Sequence, residues 1–241
     1  MNVLGIDSSA LTASAAVTAN GVLLAEQFVN NGLTHSETLA PLTIQALASA
    51  GKTPDDIDVI AVTNGPGSFT GVRIGVALAK GLATPGNLPC FGVSSIEAAA
   101  YPFRQTDRLL MACMDARRAQ VYCAFFTAGE RIPTRLTDDA AISLAEAAAF
   151  IRAKNMPVLL CGDGARVAHA YFTESGLTRD TDIALPEGDS IYQRASSAAF
   201  LTEYYLTQTD RTAQDAFSLC PTYLRLSQAE RELNNKKLNN K

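Results

Sequence analysis

Histidine is nearly missing from this 241-residue chain: His35 and His169 are the whole supply. They form neither an H-x-x-x-H nor an H-E-x-x-H spacing, so no histidine pair is set to hold a metal. His35 falls in a first helical turn, where a structural role is expected, and His169 on an exposed helix face. No G-x-S-x-G elbow presents a serine nucleophile. The five cysteines, Cys90, Cys113, Cys123, Cys161 and Cys220, stand apart in apolar surroundings with no C-x-x-C pair. That argues against a zinc ribbon or a disulfide scaffold and fits a reducing cytoplasm. A basic surplus is absent too, since a net charge of −4 gives no electrostatic footprint for nucleic acid. No apolar run reaches the roughly 20 residues of a bilayer span, and the first residues read as a strand rather than a signal peptide. What is present, 47% hydrophobic residues, can bury the core of one large domain or two smaller ones.

The chain opens with Val3-Leu4-Gly5-Ile6-Asp7, a buried strand ending in Asp7-Ser8-Ser9. Alternating residues Thr12 to Thr18, an Asn20-Gly21 type I′ turn signal and Val22 to Phe28 then predict a hairpin. Thr34-His35-Ser36-Glu37 fits a capping box that starts a helix to about Ala50. A Val59–Thr63 strand, a second helix, a Pro89–Val93 strand and a further box at Ser94-Ser95-Ile96-Glu97 follow. Three antiparallel strands followed by strands alternating with helices predict an α/β fold with a mixed sheet over the first hundred residues. The second half repeats the theme. Leu109–Met114 and Gln120–Phe126 read as strands around Asp115-Ala116-Arg117-Arg118. A capped helix begins at Ser143-Leu144-Ala145-Glu146, a strand covers Val158–Cys161, and Asp189-Ser190 heads a long helix ending near Leu206. Two halves that each open on antiparallel strands point to an ancient duplication. The predicted divisions are 1–102, 103–225, with the end of the second open to packing back on the first, and a polar, disordered tail over 226–241.

Asn64-Gly65-Pro66-Gly67-Ser68-Phe69-Thr70-Gly71-Val72-Arg73-Ile74-Gly75 is the most distinctive stretch. Glycines and a proline turn the chain after a strand, and Ser68 is placed to cap the next helix. Beyond it Gly71, Gly75, Ala79 and Ala83 recur every four residues and leave one helix face almost bare. Such a face admits another helix closely, the helix N-terminus favours an anion, and ordinary core packing uses the same pattern. Elsewhere chemistry is thin. Glu37, Glu97 and Glu146 all stand at the third residue of a capping box, which accounts for them structurally. The Cys161-Gly162-Asp163-Gly164 turn has the form of one that touches a nucleotide, but such turns are common.

The Gly-Pro-Gly-Ser-Phe-Thr-Gly segment, with Asp7-Ser8-Ser9, His35-Ser36-Glu37, Leu39, Pro41, Ala79-Lys80-Gly81-Leu82-Ala83 and Val93-Ser94-Ser95, resembles the TsaB (YeaZ) family. Asp115-Ala116-Arg117, Cys161-Gly162-Asp163-Gly164 and Pro221-Thr222-Tyr223-Leu224-Arg225 extend the resemblance over nearly all the chain except the tail. The resemblance implies a two-lobed fold of the actin, sugar-kinase and Hsp70 type. It also implies a part in making N6-threonylcarbamoyladenosine at position 37 of tRNAs that read ANN codons. In that family TsaB is a non-catalytic partner of TsaD, and TsaE joins as an ATPase. The residues agree with a non-catalytic role. Where TsaD carries a metal pair, His35-Ser36-Glu37-Thr38-Leu39 has one imidazole, and the second-lobe turn Asp115-Ala116-Arg117 has no glycine for close phosphate approach.

The expectation is therefore a cytoplasmic scaffold that binds no cofactor or metal alone, within a complex that uses ATP. It meets tRNA only indirectly and forms a homodimer in isolation. The predicted docking residues are His35, Leu39, Leu42, Ala46, Phe69, Gly71, Val72, Gly75, Val76 and Ala79. Ala40, Ile44 and Leu47 form a second apolar side of the first helix. Asp7, Ser8, Ser9, Asp115, Gly162 and Gly164 are a degenerate cofactor site. The alternatives are a glycoprotease-like peptidase and a nucleotide-dependent small-molecule kinase of the same fold.

Overall fold

A computed structural model describes residues 1–32, 34–117 and 120–225. The expected tail over 226–241, and Arg118 of the second-lobe turn, lie outside them. The chain begins with β1 (Asn2–Asp7), β2 (Ala13–Ala19) and β3 (Val22–Val29), an antiparallel run. Asn20 and Gly21, at φ +49° and +77°, make the left-handed turn that their sequence predicts. Next come α1 (His35–Ser49), β4 (Val59–Gly65), α2 (Phe69–Ala83), β5 (Cys90–Ser94) and the short α3 (Ser95–Ala100). Parallel pairing of β1 with β4 and of β4 with β5 gives a five-stranded sheet in the order β3-β2-β1-β4-β5.

The second lobe comprises β6 (Leu109–Asp115), β7 (Gln120–Thr127), β8 (Thr134–Arg135), β9 (Ala140–Ser143), α4 (Leu144–Lys154), β10 (Val158–Cys161), α5 (Ala165–Glu174), α6 (Leu177–Asp180) and β11 (Ile183–Ala184). Its path β11-β10-β6-β7-β8 pairs β6 antiparallel to β7 and parallel to β10, as β1 pairs with β2 and β4. The pairing pattern thus repeats between lobes whose sequences do not visibly repeat. Finally α7 (Ala195–Gln208) returns to the first sheet.

Alternation along the strands decides the layers. Leu4, Ile6, Ile60 and Val62 face α1 and α2, whereas Val3, Val59, Ala61, Phe91 and Val93 face α7. After α7 the chain crosses back over the first lobe. Gln214 bridges Cys90, Leu219 is fully buried, and the Thr222 N–H donates to the Asn64 carbonyl at 2.6 Å.

Three local expectations need correction. Thr34 does not cap α1 through its side chain; its carbonyl instead accepts from the Glu37 and Thr38 N–H groups. Ser94 does cap α3, but Glu97 turns inward, taking a hydrogen bond from the Tyr205 hydroxyl and pairing with Arg135 at 3.4 Å. The box at Ser143 and Glu146 forms in full. The last long helix starts at Ala195 rather than near Ser190, because Gly188–Ile191 is a separate 3-10 turn. Arg194 is extended, and the Ala195 N–H donates to Ser14 Oγ at 2.9 Å as the chain changes lobes. No helix among the described residues is long and apolar enough to cross a membrane.

Candidate docking face and interlobe turns

The glycine-rich turn is built as its sequence implies, but its small-residue row points the other way. Ser68 caps α2 by accepting from the Gly71 N–H at 3.2 Å, and its own N–H donates to the Ser9 carbonyl at 2.7 Å. Gly71 and Gly75 face the Asp7-Ser8-Ser9 turn. A Cβ at Gly71 would overlap the Ser8 carbonyl oxygen, and one at Gly75 would lie 2.6 Å from Ser8 Oγ. Ser8 Oγ donates to the Gly71 carbonyl at 2.9 Å. The bare row is thus a socket for the end of β1.

That geometry corrects the predicted docking residues. Leu39, Leu42, Ala46, Gly71, Val72, Gly75, Val76 and Ala79 are buried within the chain, where they cover the sheet. Phe69 is half-buried; its ring stacks on Tyr223 at 4.7 Å, with the Arg73 guanidinium 3.7 Å from its centre. His35 is also half-buried, and its Nε2–H donates to the Ala10 carbonyl at 2.7 Å, fastening α1 to the loop after β1. Leu47 is buried as well, so only part of the expected second side of α1 is open.

The open side carries other residues. On α1, Pro41, Ile44, Gln45 and Ala48 are exposed and Ala40 is half-buried; Ile44 reaches 68% exposure. On α2, Thr70, Arg73, Ala77 and Gly81 are exposed, with Ile74 and Leu78 half-buried between them. The two helices pack side by side, giving a face of mixed polarity on which Ile44 stands out among small residues of both ridges. Apolar residues on both sides of α1 make the covered side unreadable from sequence alone. The side that packs on β2 and β3 is the one carrying Leu39, Leu42, Thr43, Ala46 and Leu47.

The turns named as a degenerate cofactor site meet between the lobes. Asp7 is fully buried, and Oδ1 accepts from the Ser9 hydroxyl at 2.7 Å and from the Thr63 hydroxyl. Its Oδ2 has no hydrogen-bond partner among the described residues. Burial pushes its carboxyl above the usual range, against the lowering effect of those hydroxyl groups. Across the cleft, burial pushes Asp163 up to about 7, helped by the Asp115 and Asp7 carboxylates, while its bond from the Asp115 N–H opposes the shift. Asp115 itself is exposed. The turn amides engage the chain's own carbonyls: Gly162 N–H donates to Ile191 at 2.7 Å and Gly164 N–H to Cys113 at 3.1 Å. Ser8 and Ser9 are buried, and Gln193 Nε2 donates to Ser9 Oγ at 3.2 Å. Sequence reasoning missed Gln193 and Thr63, which carry no motif and matter only through where they land. Among the described residues no group of three or more His, Cys, Asp or Glu is placed to hold a metal.

Two lobes, each with a mixed sheet and an antiparallel opening, joined across facing acidic turns, define the actin, sugar-kinase and Hsp70-like class. Two solved structures share this fold over almost their whole length. A Pseudomonas aeruginosa protein described as similar to peptidase YEAZ aligns with a TM-score of 0.77 at 23% identity, covering 93% of this chain and 99% of its own. YeaZ from Pseudomonas aeruginosa aligns at 0.74 and 22%, covering 92% and 99%. At the level of sequence, a family model described as TsaD: tRNA N6-adenosine threonylcarbamoyltransferase matches residues 31–233. The tRNA threonylcarbamoyladenosine biosynthesis protein TsaB of Bacillus subtilis is 33% identical over 95% of this chain and 96% of its own length. The protein of that name from Haemophilus influenzae is 32% identical over 77% and 81%. The chain belongs to the TsaB family.

Proposed function

We propose that this protein is a non-catalytic subunit in tRNA threonylcarbamoyladenosine synthesis, acting by docking a TsaD-type partner. Family membership supports the pathway. The observation that carries the docking reading is the outward side of α1 and α2, where Ile44 stands 68% exposed on α1 between Ala40 and Ala48, and Ala77 and Gly81 are exposed on α2. A TsaD-type protein of the same fold presents a matching helix pair, so the complex is a four-helix interface of about 1,600 Å², the usual size for a stable complex. Without the partner the same face pairs with itself about a two-fold axis. A TsaE-type ATPase completes the assembly, ATP is used by the complex rather than held by this chain alone, and tRNA is met through the partner.

Chemistry is left to the partner because the Gly162 and Gly164 amides are engaged by the chain's own carbonyls and the His35 imidazole on α1 is tied to the Ala10 carbonyl. The test is reconstitution with tRNA, threonine, bicarbonate, ATP and the other pathway proteins, with and without this chain. Ile44→Arg, at an exposed position, leaves the fold intact by circular dichroism. It weakens partner binding by at least about tenfold, the effect of placing a charge at an interface centre. Undiminished modification without the chain, or intact complexes with both Ile44→Arg and Ala77→Arg, refutes the assignment.

A further inference from the structure

A cavity of about 520 Å³ lies on the side of the molecule where the chain first crosses between lobes. Its walls come from both lobes and from the crossing itself. Phe200, Glu203 and Tyr204 form one ridge of α7, while Tyr101 and Arg104 come from the crossing and Arg131 from the loop before β8. Tyr101 and Phe200 stack at 5.7 Å between ring centres, and the Arg104 guanidinium lies 4.4 Å from the centre of the Tyr101 ring. That column holds the Arg104 guanidinium against the Tyr101 ring at the cavity wall.

The charges around it are unevenly matched. Arg104 donates from Nη1 to the Tyr101 carbonyl at 3.3 Å, but its buried Nε has no hydrogen-bond partner among the described residues. Neither Arg104 nor Arg131 has a carboxylate partner among them, whereas Arg108, Arg135 and Arg194 all do. Of the two acids at the cavity, Glu203 accepts from the Gly21 N–H at 2.9 Å, which closes the hairpin end against α7. Glu130 is exposed and unpaired at the rim. Two unmatched guanidinium groups recognise one anionic group, and a planar one best, because the guanidinium fork matches a carboxylate. The two glutamates hold the site's overall charge near zero and disfavour a dense polyanion.

We propose that this cavity binds a small aromatic monocarboxylate, its ring laid along Phe200 and Tyr204 and its carboxylate between Arg104 and Arg131. Such a ligand touches both lobes at once, so its binding stiffens their relative placement. The site is independent of the docking face on α1 and α2.

Benzoate, 4-hydroxyphenylacetate and indole-3-acetate serve as probes of the full-length protein, by calorimetric titration and ligand-observed NMR. At least one binds saturably with a dissociation constant of about 1 mM or tighter. Acetate, and the uncharged alcohol 4-hydroxyphenylethanol, bind about tenfold more weakly. Arg104→Gln and the exposed Arg131→Gln each lower affinity by about tenfold, the loss of one charge-assisted contact. Circular dichroism verifies that both variants are folded. Failure of all three carboxylates to bind saturably overturns the proposal, as does binding that both variants leave unchanged. Equal affinity for 4-hydroxyphenylethanol overturns the role given to the arginines.

Discussion

Gly75 shows how one residue type carries two opposite meanings. Every fourth residue of α2 is small, a spacing that serves helix pairing and socket formation equally well. Only the placement of Ser8, 63 positions before Gly71, tells them apart. Gly75→Ala is expected to cost about 1–3 kcal/mol, because its Cβ would meet Ser8 Oγ and the packed turn must shift. Urea titration checks this, and a stability unchanged within error would refute the socket. Gly75→Leu tests folding rather than docking, since any lost assembly follows from the lost fold. Glu97 teaches the same lesson. Its spacing from Ser94 spells a capping box, but Arg135 and Tyr205, 38 and 108 positions away, take its carboxylate instead. Glu146 has no such competitor and caps as written.

Among elements, those carried by local pattern were legible: the first hairpin from Asn20-Gly21, α2 from Ser68, α4 from Ser143, and the alternation of strands with helices. The side of α1 that meets the sheet was not, since both sides carry apolar residues. The segment after α7 was legible only as a family motif, because its order comes from contacts rather than periodicity. Asp215 holds a tight turn there by accepting from the Ser218 N–H at 2.8 Å and the hydroxyl at 3.0 Å. Leu219 is driven into the first core, and Tyr223 donates its ring to Phe69 and takes a hydrogen bond from Arg73 Nε at 2.7 Å. Leu219→Ala should cost about 2–5 kcal/mol, in the range for a buried leucine. A loss of unfolding free energy of that size in urea titration supports the segment as part of the first core; a negligible one shows that it merely lies on the surface.

For the whole molecule, the closed meeting of the two lobes brings buried acids together and makes stability depend on pH. Unfolded, Asp163 ionises near 3.8; folded, it holds its proton to about 7. The folded state therefore carries the extra proton between those values. This group's contribution is complete below pH 3.8 and is lost as pH rises through about 7, to the extent of about 4 kcal/mol at most. Asp7 shifts in the same direction. Asp163→Asn, which keeps the acceptor for the Asp115 N–H, should stabilise the protein at pH 8 and not at pH 4. Urea midpoints at the two values decide, and an identical difference at both would contradict the sign.

The return of α7 also bears on how the chain is made. Val3, Val59, Ala61, Phe91 and Val93 belong to strands finished early, but the helix that covers them is near the far end. During synthesis one side of the first sheet stays wet and adhesive until the entire second lobe has left the ribosome. The nascent protein is therefore most in need of chaperone cover midway through translation, and a truncation before Ala195 leaves an insoluble half rather than a smaller working one.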